Sequence, residues 1–244
     1  MAQPAETAFA RIVCAIDPSA PSGEAAGQAV ALARAGAELT FLAVEGDGGG
    51  RALEQIARTA AKRGVNVKTR TVRGENVPEA VIESSSSADL LVVGSRGAGG
   101  ADVELGSTAS AAVHAAQMPV LVARPVPDGR AFPGQILVAT DGSPDAERGV
   151  ELANRIADRH GSEVALIHVS DGRSPPAAVQ AQPTIEEVGD PAQRIAEAAV
   201  RERASLLVIG SRGLGRARVL GSVGERVAHE ASCSVLVVRP RVIA

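Results

Sequence analysis

Two glycine-rich turns hold the residues best suited to chemistry: "GSRGAGGADVELGS", Gly94 to Ser107, and "GSRGLGRARVLGS", Gly210 to Ser222. Each follows an apolar run and leads into a helical pattern. Glycines there let backbone N–H groups face a ligand with no side chain between them. A helix opening at Ser107 or Ser222 adds free N–H groups and a positive dipole end, which suit an anion. A tight turn with no ligand fits the same residues. Ser222-Val-Gly-Glu225 also reads as a capping box, with Ser222 bonding the Glu225 N–H and the glutamate reaching back. Asp17 and Asp141 each follow an earlier apolar run. Such an aspartate either shapes a turn or contacts a ribose or a metal.

Other chemistries lack their residues. There is no Gly-Lys-Ser/Thr, neither turn completes G-x-G-x-x-G, and no G-x-S-x-G elbow occurs. The 4 histidines, His114, His160, His168 and His229, lie too far apart for a local metal motif. His114 and His229 hold matching helix positions and read as partly exposed helix histidines. The sequence assigns no catalytic residue and no metal site.

The elements that must position these turns come in two copies. "RIVCAIDPS" matches "QILVATDGS", "ADLLVVGSRG" matches "ASLLVIGSRG", and "VHAAQMPVLVARP" matches "AHEASCSVLVVRP", all in one order. The repeat predicts one domain over 9–125, a Pro- and Gly-rich linker over 126–134, and a second domain over 135–241. In the first copy, continuous apolar runs alternate with Ala-rich helical stretches closed by Gly36 and Gly64. "VNVKTRTV" alternates as an edge strand would. This pattern predicts a parallel sheet with helices on both faces, and ligands in such sheets bind beyond the carboxyl ends of the strands. The second copy is trimmed. After "VALIHV" comes "SDGRSPPAAVQAQPTIEE", whose prolines predict that the second helix is lost or reduced, with "TIEEV" as a stub of the third strand.

Composition narrows the function classes. The 244 residues are 45% hydrophobic and 22% charged, as in a folded protein. Three Phe and no Tyr or Trp leave an aliphatic core and no aromatic platform for single-stranded nucleic acid. The net charge of −3 comes without long like-charge blocks, so nothing calls for a nucleic-acid or membrane partner. No apolar run reaches the roughly 20 residues of a spanning helix. The start lacks a secretory pattern, and Cys14 and Cys233 make no disulfide framework, so the expected location is cytoplasmic.

Taken together, "ILVATDGSPDAERGVELANRIA", "VALIHV", "VGDPAQRI", "LLVIGSRGLG", "LGSVGERV" and "CSVLVVRP" resemble the universal stress protein family, here as a tandem pair. The resemblance implies two Rossmann-like units of the adenine nucleotide alpha hydrolase-like kind, each with a five-stranded sheet. It also implies a site for ATP or another adenine nucleotide, with Mg as an optional companion, and requires no cofactor. ATP-binding members carry G-x2-G-x9-G-[ST] after strand four, an Asp after strand one and a Val closing strand two. Carried over, the first copy offers Asp17, Val44, Gly94, Gly97, Gly106 and Ser107. The second offers Asp141, Val169, Gly210, Gly213, Gly221 and Ser222, with Val223 beside them. Both loops are shorter than the family pattern.

Charge separates the copies. The first loop carries Asp102 and Glu104 against Arg96, whereas the second carries Arg212, Arg216 and Arg218 with no acid. Phosphate is drawn to the second, which is therefore the preferred site. The missing helix counts the other way, because it flanks the strand beside the adenine. Family members often dimerise through their last strands, so "PVLVARP" and "SVLVVRP" imply an intrachain pseudo-dimer. The functional expectation is a cytoplasmic stress-response protein whose adenine-nucleotide occupancy regulates an unknown protein partner. The alternative is an adaptor of the same family that binds no nucleotide. A slow ATP hydrolase is the third reading, and no evident base supports it.

Overall fold

The computed structural model describes residues 8–33, 36–46, 49–96, 105–170, 184–211 and 221–239. Packing contacts divide the chain into two units, one of Phe9–Pro125 and one beginning at Val126. Each is α/β, as the alternating pattern predicts.

The first unit runs β1 (Arg11–Ala15), α1 (Ala20–Ala33), β2 (Glu38–Val44), α2 (Gly49–Lys62), β3 (Val67–Val72), α3 (Val77–Ser84), β4 (Leu90–Gly94), α4 (Ser107–Ala115) and β5 (Val120–Ala123). Its strands lie in the order β3-β2-β1-β4-β5, and all four pairings are parallel. The apolar runs of β4 and β5 are buried on both faces, because helices cover both sides of the sheet. At the edge, β3 stays largely exposed and carries Lys68 and Arg70. Charge along a free edge discourages pairing with another chain.

The second unit runs β6 (Gln135–Ala139), α5 (Pro144–His160), β7 (Glu163–Ser170), β8 (Thr184–Val188), α6 (Pro191–Arg201), β9 (Leu206–Gly210), α7 (Ser222–Glu230) and β10 (Ser234–Val238). The order β10-β9-β6-β7-β8 repeats the first unit's topology, again all parallel. "TIEEV" is more than a stub: it forms β8 and pairs with β7 from Leu166↔Thr184 to Ser170↔Val188. The expected loss of the second helix falls on residues outside the described ones.

Local chemistry starts and stops the helices. Ser143 caps α5 by accepting from the Ala146 N–H at 3.3 Å, Pro144 follows at the first helical position, and Gly161 ends the helix at φ 65°. The face α5 turns to the sheet is made of small residues: Ala146, Gly149, Ala153 and Ala157 are all buried. A Cβ on Gly149 would come within 3.4 Å of Val208 Cγ1, so the helix lies close on β9. The core is aliphatic. Ile136, Leu137, Ile156, Ile167 and Leu206 are among its largest fully buried side chains, and each contributes about 1.5–3 kcal/mol.

In both units the strand order reverses between the first strand and the fourth. β1 is followed by β2 on one side while β4 lies on the other, and β6 stands likewise between β7 and β9. Connections diverge there and open a crevice at the carboxyl ends of the strands.

Candidate functional site

In the second unit that crevice is a cavity of about 450 Å³. Thr140 and Asp141 enter from the end of β6, Val169 from β7, and Gly210 and Ser211 from the end of β9. Gly221, Ser222, Val223 and Gly224 bring the start of α7, and Pro191 and Ile195 the first turns of α6. The structure thus gathers Asp141, Val169, Gly210, Gly221, Ser222 and Val223, six of the residues expected in this unit, around one cavity. Arg212, Gly213, Arg216 and Arg218 lie outside the described residues.

The start of α7 is built differently from those of α3, α5 and α6. Asn76, Ser143 and Asp190 each cap a helix with a side-chain oxygen. At α7 the cap is Gly221, and no side chain caps the helix. This corrects the capping-box reading: Ser222 is the first helical residue, and the Glu225 N–H donates to the Gly221 carbonyl at 3.0 Å. A helix's first N–H groups have no partner inside it, so Ser222, Val223 and Gly224 present theirs at the cavity's edge. In the first unit Gly106 caps α4 in the same way, again with no side-chain bond.

A backbone clasp closes each glycine loop. The Gly221 N–H donates to the Ser211 carbonyl at 2.9 Å, and the Gly106 N–H to the Ser95 carbonyl at 2.9 Å. Beneath the clasp, Ser211 Oγ donates to the carboxylate of buried Asp145 at 3.1 Å. The two loops differ in length, yet their ends are pinned alike.

The glycines serve different needs. A Cβ on Gly210 would meet Ala146 N and Asp145 Cβ at 3.1 Å, and one on Gly94 would meet the Pro21 carbonyl carbon at 2.9 Å. Both strands end in glycine because a helix start passes too close for a side chain. Gly221 is free of that constraint. Among the described residues its Cβ would meet only the Ser211 carbonyl oxygen, at 3.9 Å, and its φ of −69° suits any residue. No described neighbour requires a glycine there.

The aspartates shape turns. Asp141 Oδ1 accepts from the Ser143 N–H at 2.9 Å, and Asp17 Oδ1 from the Ser19 N–H at 2.9 Å and the Ser19 hydroxyl. In the second unit one cavity joins that aspartate to the other described residues of the set. Among the described residues, Asp17 lines a cavity of about 360 Å³ between α1 and α2, whose lining includes Gly23, Gly27, Ile56 and Arg63. Val44, Gly94, Gly106 and Ser107 are not part of it, and Gly97 lies outside the described residues.

Sequence reasoning missed several wall residues. Ser211 was visible in the repeated "GSRG", and Pro191 with Ile195 in the amphipathic helix opening after Gly-Asp. Thr140 and Ile209 carry no local signal. His168, buried in β7, donates Nδ1–H to the Thr140 carbonyl at 2.8 Å. A carbonyl only accepts, so the proton sits on Nδ1, and the bond fixes the backbone just before Asp141.

Among the described residues no group of three His, Cys, Asp or Glu could hold a metal ion, and no helix is long and apolar enough to cross a membrane. The universal stress protein family matches residues 45–124, 134–187 and 177–239. The chain belongs to the universal stress protein family. A universal stress protein of Mycolicibacterium smegmatis is 33% identical over 83% of this chain and 80% of its own length. One from Mycobacterium tuberculosis is 32% identical over 76% of this chain and 74% of its own length. A solved candidate universal stress protein of Pseudomonas aeruginosa overlays 96% of this chain and 94% of its own with a TM-score of 0.78. At 20% identity that likeness concerns the fold, and it covers both tandem units.

Proposed function

We propose that the second unit binds an adenine nucleotide, and that its occupancy regulates a partner protein during stress. The observation that carries this reading is the cavity at the strand reversal, with a helix start left open by a glycine cap. About 450 Å³ falls within the range of small-ligand sites, about 300–1,000 Å³. Its walls divide by chemistry. Ala139, Ile167, Val169, Ile195 and Ile209 make an apolar side suited to a base. The free N–H groups of Ser222, Val223 and Gly224, at the positive end of α7, suit phosphate. Asp141 lies at the cavity's polar side, where a ribose hydroxyl would meet it. Arg212, Arg216 and Arg218 in the loop sequence add charge of the right sign. The first loop's Asp102 and Glu104 oppose it, so the second unit is the preferred site.

The test is to denature the purified protein, assay the released small molecules, and titrate the stripped protein with ATP and Mg²⁺. Adenine nucleotide near one per chain, lost on Gly213→Ala or Gly221→Ser, supports the reading. No released nucleotide and no binding at millimolar ATP refutes it and leaves an adaptor that works by protein contacts.

A further inference from the structure

We infer that Asp190 and Arg226 form a clamp that sets the spacing of the two helix starts walling the second unit's cavity, and so act as positioning residues for its ligand. The inference rests on the nucleotide reading of that cavity. Pro191 and Ile195 of α6 line one wall, and Ser222, Val223 and Gly224 of α7 another. Neither Asp190 nor Arg226 is among the residues lining the cavity; they join the two helices to each other. Asp190 uses both carboxylate oxygens. Oδ1 caps α6 by accepting from the Gln193 N–H at 3.0 Å, and Oδ2 accepts from Arg226 Nη1 at 2.8 Å. Arg226 is itself steadied on α7, where its Nε donates to Glu230 at 3.4 Å. A planar guanidinium presents its donors in a rigid fork, which fixes a bridge between two acceptors more firmly than a lysine ammonium on its flexible stem. The Arg226 hydrogen bond, followed by the Gln193 N–H, holds the Asp190 carboxyl below its usual range.

The two units differ at this point. In the first unit α3 is capped by Asn76, which accepts from the Glu79 N–H at 3.3 Å. Counted from the helix start, Ala111 of α4 stands where Arg226 stands in α7. A neutral amide opposite an alanine forms no ion pair. The clamp belongs to the unit whose cavity gathers the expected residues.

Half-exposed ion pairs are worth little as stability, so the clamp's mark is local order and ligand affinity, not melting temperature. Asp190→Asn tests this cleanly, because asparagine caps a helix about as well as aspartate while losing the charge that holds Arg226. Arg226→Gln removes the other half. Hydrogen exchange on the intact apo protein should show faster exchange at Glu225 to Val227 in both variants, with Gln193 still protected and Tm little changed. ATP affinity should fall about two- to fivefold in each, and the double variant should lose no more than the singles. Additive losses, or unchanged ATP affinity in variants of a protein that binds ATP, would overturn the clamp. If the wild type binds no ATP, the nucleotide reading fails separately. The exchange data then decide alone: faster exchange at 225–227 that is no greater in the double variant supports the clamp, and unchanged exchange overturns it.

Discussion

Gly221→Ser separates what the fold needs from what a ligand needs. The residue is the N-cap of α7, at φ −69° and ψ 152°, the extended geometry from which a serine hydroxyl accepts a bond from the second or third helical N–H. Those donors are Val223 and Gly224. Among the described residues a Cβ at this position meets only the Ser211 carbonyl oxygen, at 3.9 Å, so the substitution clashes with none of them. Serine exceeds glycine as an N-cap by a few tenths of a kcal/mol. Removing a glycine from the unfolded chain adds about 0.4–1 kcal/mol. The variant should therefore gain roughly 0.6–1.4 kcal/mol and melt about 1–6 °C higher. The hydroxyl also takes an N–H that would otherwise hold phosphate. A hydrogen bond to a charged group is worth about 1.5–3 kcal/mol, so ATP affinity should fall at least about tenfold. Calorimetric melting and isothermal titration read the two effects on one preparation. Gly221→Ala is the control: it adds the Cβ without the acceptor, and so separates crowding from capping. A lower Tm in Gly221→Ser would mean that the fold does require glycine here. Unchanged ATP affinity would mean that the open helix start is not the phosphate site.

Gly210→Ala should behave in the opposite way, because its Cβ would press on Asp145 and Ala146 at 3.1 Å; thermal melting should show a loss of about 1–3 kcal/mol. Gly94→Ala, against Pro21 at 2.9 Å, should cost at least as much. Burial and the neighbouring Arg159 lower the His160 pKa, outweighing the helix C-terminus, which would raise it. The folded state therefore favours neutral imidazole, so the stability from this group is full above about pH 6.5 and is lost as pH falls below that. His160→Gln should flatten that part of a Tm-against-pH curve. Cys14 and Cys233 are both buried, and burial pushes the Cys14 thiol pKa far up. Iodoacetamide at about pH 8 should leave both unlabelled until denaturant is added, and mass spectrometry of the native protein checks this.

Much of the protein is legible in local spacing. Apolar runs alternating with Ala-rich stretches decide that each unit is a parallel sheet between helices, since strands buried on both faces and small helix faces have few other ways to pack. The repeated turns and the aspartate after each first strand mark the rim where a site could form. What each of those residues does was decided by tertiary structure. Gly210 and Gly221 look alike in sequence, yet one is required by a helix 3.1 Å away and the other meets no such constraint from any described residue. Ser222 has the spacing of a capping residue, but the clasp from Gly221 to Ser211 starts the helix one residue earlier. Pro191 and Ile195 reach the cavity from a helix that follows a different strand. Asp190 meets Arg226 across 36 residues of sequence. Close approach and pairing across helices depend on distances fixed only when the sheet closes, and a local pattern of residue types carries no record of them.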